Sequence, residues 1–396
     1  MTEQTWADAV NRDAIIDIAS QLIAIPSPSG DERAVMEFVQ RWCDDRGIRY
    51  QVVAKDPNRP NVIGSIEPST DGPTVVMNGH LDTVPVSDPA AWQTSPFDPV
   101  VSDDGARLYG RGASDMKSSV AVMLHLMDIF KDSALRGRLQ VHVVSDEEVG
   151  GQFGAVYLVN EIVAGSLPRP DYCLIGEKSD LKVRNAERGI VGFHVTILGR
   201  ASHTATARAT GINAIAKAAK AVLALDRDLD KFHPAVGKPV ISINTIQAGV
   251  AHNVVPGECM FTIDRRLIPG ETVASALAEI TGALDHIAAT DPDFRYDIVT
   301  DPMRDAIPAS ITPEDSPLVQ ALQQSIRDIT ETEPAFFVAW AGATDGRYYR
   351  QAGIDTAGYG PGGENAHGAN EAVFIDDLVT QGRVWAATIA RLLQAS

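Results

Sequence analysis

Apolar side chains recur along this chain with two different periods, and the changes of period divide it into segments. Residues 12–25 set Ile15, Ile18, Ala19, Leu22 and Ile23 at helical spacing, and Pro26-Ser27-Pro28-Ser29-Gly30 stops the run. A second helix is expected over 32–45. Short β-rich runs then alternate with helical stretches: a strand at 74–77, a helix at 119–130, a strand at 139–144, a helix near 155–164 and a strand at 172–175. This alternation predicts an α/β layer with a mainly parallel sheet.

The pattern changes near residue 187. Residues 191–198, 240–247 and 258–267 alternate as strands do, whereas 211–229 and 271–289 read as long amphipathic helices. Ile215, Ala218, Ala219, Val222 and Leu223 make one apolar stripe, and Val273, Leu277, Ile280 and Leu284 make another. An inserted α+β unit over 187–301 is therefore expected, with the first layer split into 1–186 and 302–396. After Pro302 the α/β style returns, with a helix at 316–330, a strand at 336–338 and a closing helix at 376–394.

Composition narrows the function without naming it. At 44% hydrophobic and 22% charged residues, the 396-residue chain has enough apolar content to fold. Its formal net charge of −18 repels phosphate backbones and anionic lipid surfaces, so neither nucleic acid nor membrane is the expected partner. No stretch approaches the roughly 20 apolar residues of a membrane helix. Cys43, Cys173 and Cys259 form no Cys-x-x-Cys pair, and Glu3, Asp8 and Asp13 stand where a signal peptide would be basic and then apolar. A cytoplasmic protein in a reducing compartment is expected.

The densest chemical signal is Gly79-His80-Leu81-Asp82-Thr83-Val84-Pro85, directly after the apolar run 74–77. Open α/β sheets bind ligands at the carboxyl ends of their strands. Two residues apart in extended chain, His80 and Asp82 leave on one face, where the aspartate can hold the second imidazole nitrogen of a metal-bound histidine. Taken alone, the same pattern is also that of a loop histidine beside an Asp cap.

Gly110-Arg111-Gly112-Ala113-Ser114-Asp115-Met116-Lys117 leads into the 119–130 helix. A dinucleotide loop would need a third glycine where Asp115 stands, and the Ser114-x-x-Lys117 spacing lacks the Lys-Thr-Gly that a serine β-lactamase requires. What remains is Asp115 as a carboxylate on a glycine-rich turn. Ser145-Asp146-Glu147-Glu148-Val149-Gly150-Gly151 closes the 139–144 strand. If the chain there is extended, Glu147 and Glu148 point opposite ways and can take different tasks, although any Glu-Glu pair can also be a solvated turn. Glu177 follows the 172–175 strand, and His367 sits in the glycine-rich loop 360–371. Together these acids and histidines, all at strand ends or glycine turns, offer oxygen and imidazole ligands without thiolate. Such a set suits Zn²⁺, Co²⁺ or Mn²⁺, and this many acids suits two ions better than one.

With these motifs in this order, the chain resembles the co-catalytic metallopeptidase family that includes acetylornithine deacetylase, succinyl-diaminopimelate desuccinylase, aminoacylase and glutamate carboxypeptidase. The resemblance runs through essentially the whole chain. It implies a zinc-peptidase-like catalytic domain interrupted by a smaller α+β lid that also dimerises, and a small-molecule amide substrate. His80 and Glu177 would bind one metal, Glu148 and His367 the other, and Asp115 would bridge them. Asp82 would orient His80, and Glu147 would be the general base. The segment Gly199-Arg200-Ala201-Ser202-His203-Thr204-Ala205 implies His203 as the oxyanion stabiliser. Asn253 and Arg266 would line the substrate pocket, and Gly342-Ala343-Thr344-Asp345-Gly346-Arg347 resembles a desuccinylase loop that holds a carboxylate, through Thr344 or Arg347.

Two positions depart from the family pattern. Lys117 is followed by Ser118-Ser119 where a glycine is usual, and Glu177 by Lys178-Ser179 where Pro-Thr or Pro-Ser is usual. No ligand is lost, but the substrate does not transfer directly. The expected activity is removal of an acyl group from a small N-acyl amino acid or related carboxylate-bearing amide. Dipeptidase, carboxypeptidase or ammonia-releasing aminohydrolase chemistry is the enzymatic alternative, and a metal-dependent binding protein without turnover the non-enzymatic one. Glu147 speaks against the last, since holding metal does not require it. His125, His142, His194, His233 and His286 are not expected as ligands, while His252 adjoins the pocket residue Asn253.

Overall fold

A computed structural model describes residues 2–303, 306–338 and 342–394. The chain divides into two compact units, one of Met1–Asn185, Thr312–Phe337 and Gly342–Ser396, the other of Ala186–Ile311 and Val338–Ala341.

The first unit is built on a six-stranded sheet in the order Arg49–Val53, Asn61–Ile66, Arg136–Val144, Thr70–His80, Tyr172–Ile175, Asp355–Gly358. The first two joins are antiparallel and the last three parallel, so the sheet is mixed and its centre parallel. Strand alternation fills a core on each face. Val75 and Met77 join one with Leu139, Val141 and Leu174, beneath the helices Arg12–Ile23, Ser118–Phe130 and Ile375–Leu393. Val76, Cys173 and Ile175 join the other with Ala155 and Val159 of the helix Ala155–Val163 and Tyr349 of the helix Gly346–Gln351.

Local chemistry sets the helix ends. Asn11 caps Arg12–Ile23 by accepting from the Ala14 N–H, and Gly47 ends Arg33–Arg46 in the left-handed region at φ 65°. Ser118–Phe130 is buried on nearly every face, which explains why its sequence carries no polar stripe.

Several elements differ from the sequence expectation. The strand expected at 336–338 is a single parallel bridge between Val183 and Phe336, because the next residue of the partner segment, Arg184, pairs with Gly358 instead. The sheet edge is Asp355–Gly358, whose sequence Asp-Thr-Ala-Gly has no apolar run to mark it. The helix Glu3–Asp8 was also unmarked; Trp6 fastens it by stacking on Phe130 at 4.4 Å between ring centroids.

The second unit is a four-stranded antiparallel sheet ordered Val240–Ala248, Glu258–Leu267, Gly189–Leu198, Arg295–Thr300. Val191, Phe193, Val195 and Ile197 face a core shared with Ala218 of the helix Ala214–Leu225 and with Ile280 and Leu284 of the helix Val273–Thr290. Asp291 caps the C-terminus of that last helix, where a negative charge opposes the helix dipole. Lys217 at 2.5 Å and Lys220 at 2.7 Å reverse the balance, and their hydrogen bonds hold the Asp291 pKa down to about 2. Because the folded pKa lies below the unfolded value, this stabilisation is present above pH 4 and is lost as pH falls through about 2. Asp291→Asn is expected to cost about 1 kcal/mol at pH 7, with the deficit shrinking toward pH 2, as read by denaturant titration at each pH.

Candidate dinuclear metal site

The parallel register gathers the expected ligands. His80, the last residue of its strand, lies opposite Val144, and Asn78 lies opposite Ile175. The turns that follow the three strands therefore emerge side by side, carrying Asp82, Glu147 with Glu148, and Glu177. Asp115 joins them from the turn before Ser118–Phe130, and His367 from the loop before the strand Ala372–Phe374.

Asp115 stands between two imidazoles. Its Oδ1 is 3.1 Å from His80 Nε2 and its Oδ2 is 3.1 Å from His367 Nε2. Glu177 Oε1 lies 3.2 Å from His80 Nε2, and Glu148 Oε2 lies 3.0 Å from His367 Nε2. Glu147 Oε2 stands further back, 3.9 Å from His80 Nε2. Two clusters of ligand atoms result, His80 with Glu147 and Glu177, and Asp115 with Glu148 and His367, each spanning no more than 4.8 Å.

The side chains suit divalent cations. Asp82 O accepts at 2.9 Å from His80 Nδ1, so Nδ1 carries the proton and Nε2 is left to face the carboxylates. Glu148 Oε1 is buried without a hydrogen-bond partner among the described residues. Burial opposes a proton on His80, yet hydrogen bonds to Asp115, Asp82 and Glu177 carry its pKa well above the usual value. Hydrogen bonds to Asp115 and Glu148 push His367 up to about 10. Burial raises Glu147 and Glu177, whereas Asp115 is lowered because the hydrogen bonds from His367 and His80 outweigh its burial. So much negative charge in so little space calls for positive charge, and an all-nitrogen-and-oxygen donor set suits zinc, cobalt or manganese.

Asp82 does more than the sequence suggested. Its main-chain carbonyl orients His80, while its carboxylate lies 3.5 Å from Nδ1 and accepts from the N–H groups of Glu147 (3.0 Å) and Glu148 (3.2 Å) and from Ser29 Oγ (2.7 Å). The Glu147–Val149 segment is a 3₁₀ turn rather than extended chain. Successive residues of such a turn are rotated by about 120°, and the two glutamates fall in different clusters. Asp146 starts the turn at φ 73°, held by an ion pair with Arg59.

Arg347 and Thr344 lie in the same unit, near the acidic turn. Arg347 Nη2 donates to Tyr348 Oη at 2.7 Å, and Tyr348 Oη donates to Gly150 O at 3.0 Å. Arg347 is buried and has no carboxylate within ion-pair distance among the described residues. Thr344 Oγ1 accepts from the Gly346 N–H. His203, Asn253 and Arg266 belong to the second unit. Ser202–His203 pairs with Val254–Val255, and Asn253 O accepts from the Thr204 N–H, so His203 and Asn253 are neighbours. Nδ1 of the exposed His203 accepts from the Ala205 N–H, which leaves Nε2 protonated and available to donate. Arg266 pairs with Asp264 at 2.7 Å.

Sequence reasoning missed two buried acids. Asp345 has both carboxylate oxygens without a hydrogen-bond partner among the described residues, and burial pushes its pKa up to about 7. Glu371 accepts from backbone N–H groups of the Asp115 turn. Both stood inside motifs already noted, but a buried acid is visible only once the chain is folded.

The sequence model described as Peptidase family M20/M25/M40 matches residues 76–391. A succinyl-diaminopimelate desuccinylase of Hydrogenovibrio crunogenus is 30% identical over 395 residues, covering 96% of this chain and 98% of that protein. One from Marinobacter nauticus is 29% identical, covering 82% and 84%. Among solved structures, aminopeptidase PepT of Bacillus cereus superposes with a TM-score of 0.76 at 18% identity, over 97% of this chain and 99% of that one. The chain belongs to peptidase family M20/M25/M40. It is a metal-dependent hydrolase with a site for two divalent cations, and deacylase chemistry fits both the family and the site. Among the described residues, no helix is long and apolar enough to cross a membrane.

Proposed function

We propose that this enzyme is a two-zinc deacylase that removes a carboxylate-bearing acyl group, of the succinyl kind, from the amine of a small amino acid. The observation that carries the two-ion reading is Asp115, with one oxygen 3.1 Å from each imidazole. His80 and Glu177 would hold one cation and Glu148 and His367 the other, with Asp115 as the shared ligand. When bound, such ions lower the pKa of water and polarise the scissile carbonyl. Glu147, set back from the ligand positions, takes the proton of the attacking water. As the C–N bond breaks, it passes that proton to the leaving nitrogen, giving a free carboxylate and an amine. His203 and Asn253, neighbours in the second unit, are the residues proposed for oxyanion stabilisation.

Arg347 supports the choice of acyl group. Its acidic neighbours, Asp345 and Glu147, lie beyond ion-pair distance, so the buried guanidinium can still take a carboxylate in a direct fork, and the substrate can bring one. Thr344 stands on the same loop as Arg347. The relatives named desuccinylase are consistent with this assignment. A panel of N-succinyl, N-acetyl and dipeptide substrates with zinc-loaded enzyme tests it. The succinyl compounds should be cut with the highest kcat/KM, and Arg347→Ala should raise their KM by about 10-fold or more, well above its effect on acetyl compounds. Preference for dipeptides, or equal effects on both acyl groups, would overturn it.

The second unit is proposed as the dimerisation surface. Val240–Ala248 is an unpaired sheet edge exposing Ile246, and the helix Ala214–Leu225 exposes Leu223 and Ile215. Light scattering should give a homodimer for the wild type and a monomer for Ile246→Lys with Leu223→Arg; a dimer in both would exclude this surface. The reaction is assigned to the cytoplasm, in keeping with buried, unpaired Cys43, Cys173 and Cys259.

A further inference from the structure

Glu371 is 1% exposed, and a buried carboxylate must be compensated. Its partners all come from one short segment. Oε1 accepts from the N–H of Ser114 at 2.9 Å and of Asp115 at 3.0 Å; Oε2 accepts from the N–H of Gly112 at 3.0 Å and from Arg111 Nη1 at 2.6 Å. The strand Ala372–Phe374 delivers it there by pairing Ala372 with Tyr109, and Glu371 O accepts from the Gly110 N–H at 3.0 Å. Convergent N–H groups of this kind form an anion-binding nest, here filled by the protein's own side chain. Gly112 allows the tight turn: it lies at φ 81°, and a Cβ there would meet Thr83 Cγ2 at 2.8 Å.

The same residue stands four positions after His367, and Arg111 Nη2 lies 3.4 Å from His367 O. One carboxylate thus ties the turn that carries Asp115 to the loop that carries His367.

We propose that Glu371 is a positioning residue for the metal site, holding the 112–115 main chain so that Asp115 presents one oxygen to each histidine before any cation arrives. This rests on the assignment of Asp115 as the shared ligand. Apolar packing alone would need neither a charge nor three aligned amides, so a purely structural Glu371 predicts lost stability with unchanged metal affinity.

Hydrogen exchange and zinc competition against a chelating dye separate the two cases. In metal-free wild type, the amides of Gly112, Ser114 and Asp115 should be protected. Glu371→Gln places an amide NH₂ against N–H donors; in the folded variant those amides should exchange faster, and zinc should bind about 10–100-fold more weakly. Glu371→Asp, keeping the charge at a shorter reach, should recover part of the affinity. A folded Glu371→Gln protein with wild-type zinc affinity and protection would overturn the proposal. If that variant does not fold, Glu371→Asp decides: weakened zinc binding in the folded protein supports the proposal and wild-type affinity overturns it. Asp115→Asn serves as the control, since retention of both zinc ions there would refute the ligand assignment and leave the exchange result on Glu371 to stand by itself.

Discussion

Glu147→Ala is expected to lower kcat by about 10²–10⁴-fold while two cations remain bound per chain. The reason is where the carboxylate stands. Its Oε2 is 3.9 Å from His80 Nε2, against 3.1 Å for Asp115 and 3.2 Å for Glu177, and on that difference the nearer pair is proposed as the ligands although Glu147 clusters with His80 and Glu177. Burial also holds the Glu147 pKa up, which suits a group that must accept a proton and give it back. Metal analysis beside steady-state kinetics checks the claim. Loss of one ion would make Glu147 a ligand, and an unchanged kcat would remove it as the base.

The second large effect belongs to Asp115. Asp115→Asn keeps the size and one carbonyl oxygen but turns an NH₂ toward the other histidine, so it can serve at most one cation. Zinc content is expected to fall to one per chain or fewer. Losing a metal contribution of several kcal/mol should cut kcat/KM on the order of 10³-fold or more. Near-wild-type activity with two ions retained would mean that the carboxylate does not join the two sites.

Much of this was legible in the sequence because parallel strands bring their following loops to one edge. His80, Asp115, Glu148, Glu177 and His367 each end or follow a strand or sit in a glycine turn, and the fold gathers them, with Glu147, into the two clusters. The signal fails where stabilisation is not periodic. The edge strand Asp355–Gly358 draws its place from neighbours rather than from an apolar run, and the 336–338 run, although apolar, loses its partner after one bridge. The split between Glu147 and Glu148 was expected from extended geometry and arises instead from a 3₁₀ turn that Asp82 holds by its backbone N–H groups. Glu371 shows the deepest limit. Nothing in its spacing marks a residue that meets the Asp115 turn across some 256 positions of sequence.

The most direct test is a crystal structure of zinc-loaded protein with anomalous data collected at the zinc edge. Two peaks are predicted, one touching His80 and Glu177, the other His367 and Glu148, with Asp115 in contact with both and Glu147 with neither. A single peak, or two peaks not joined by Asp115, would contradict the two-ion site on which the enzymatic assignment stands.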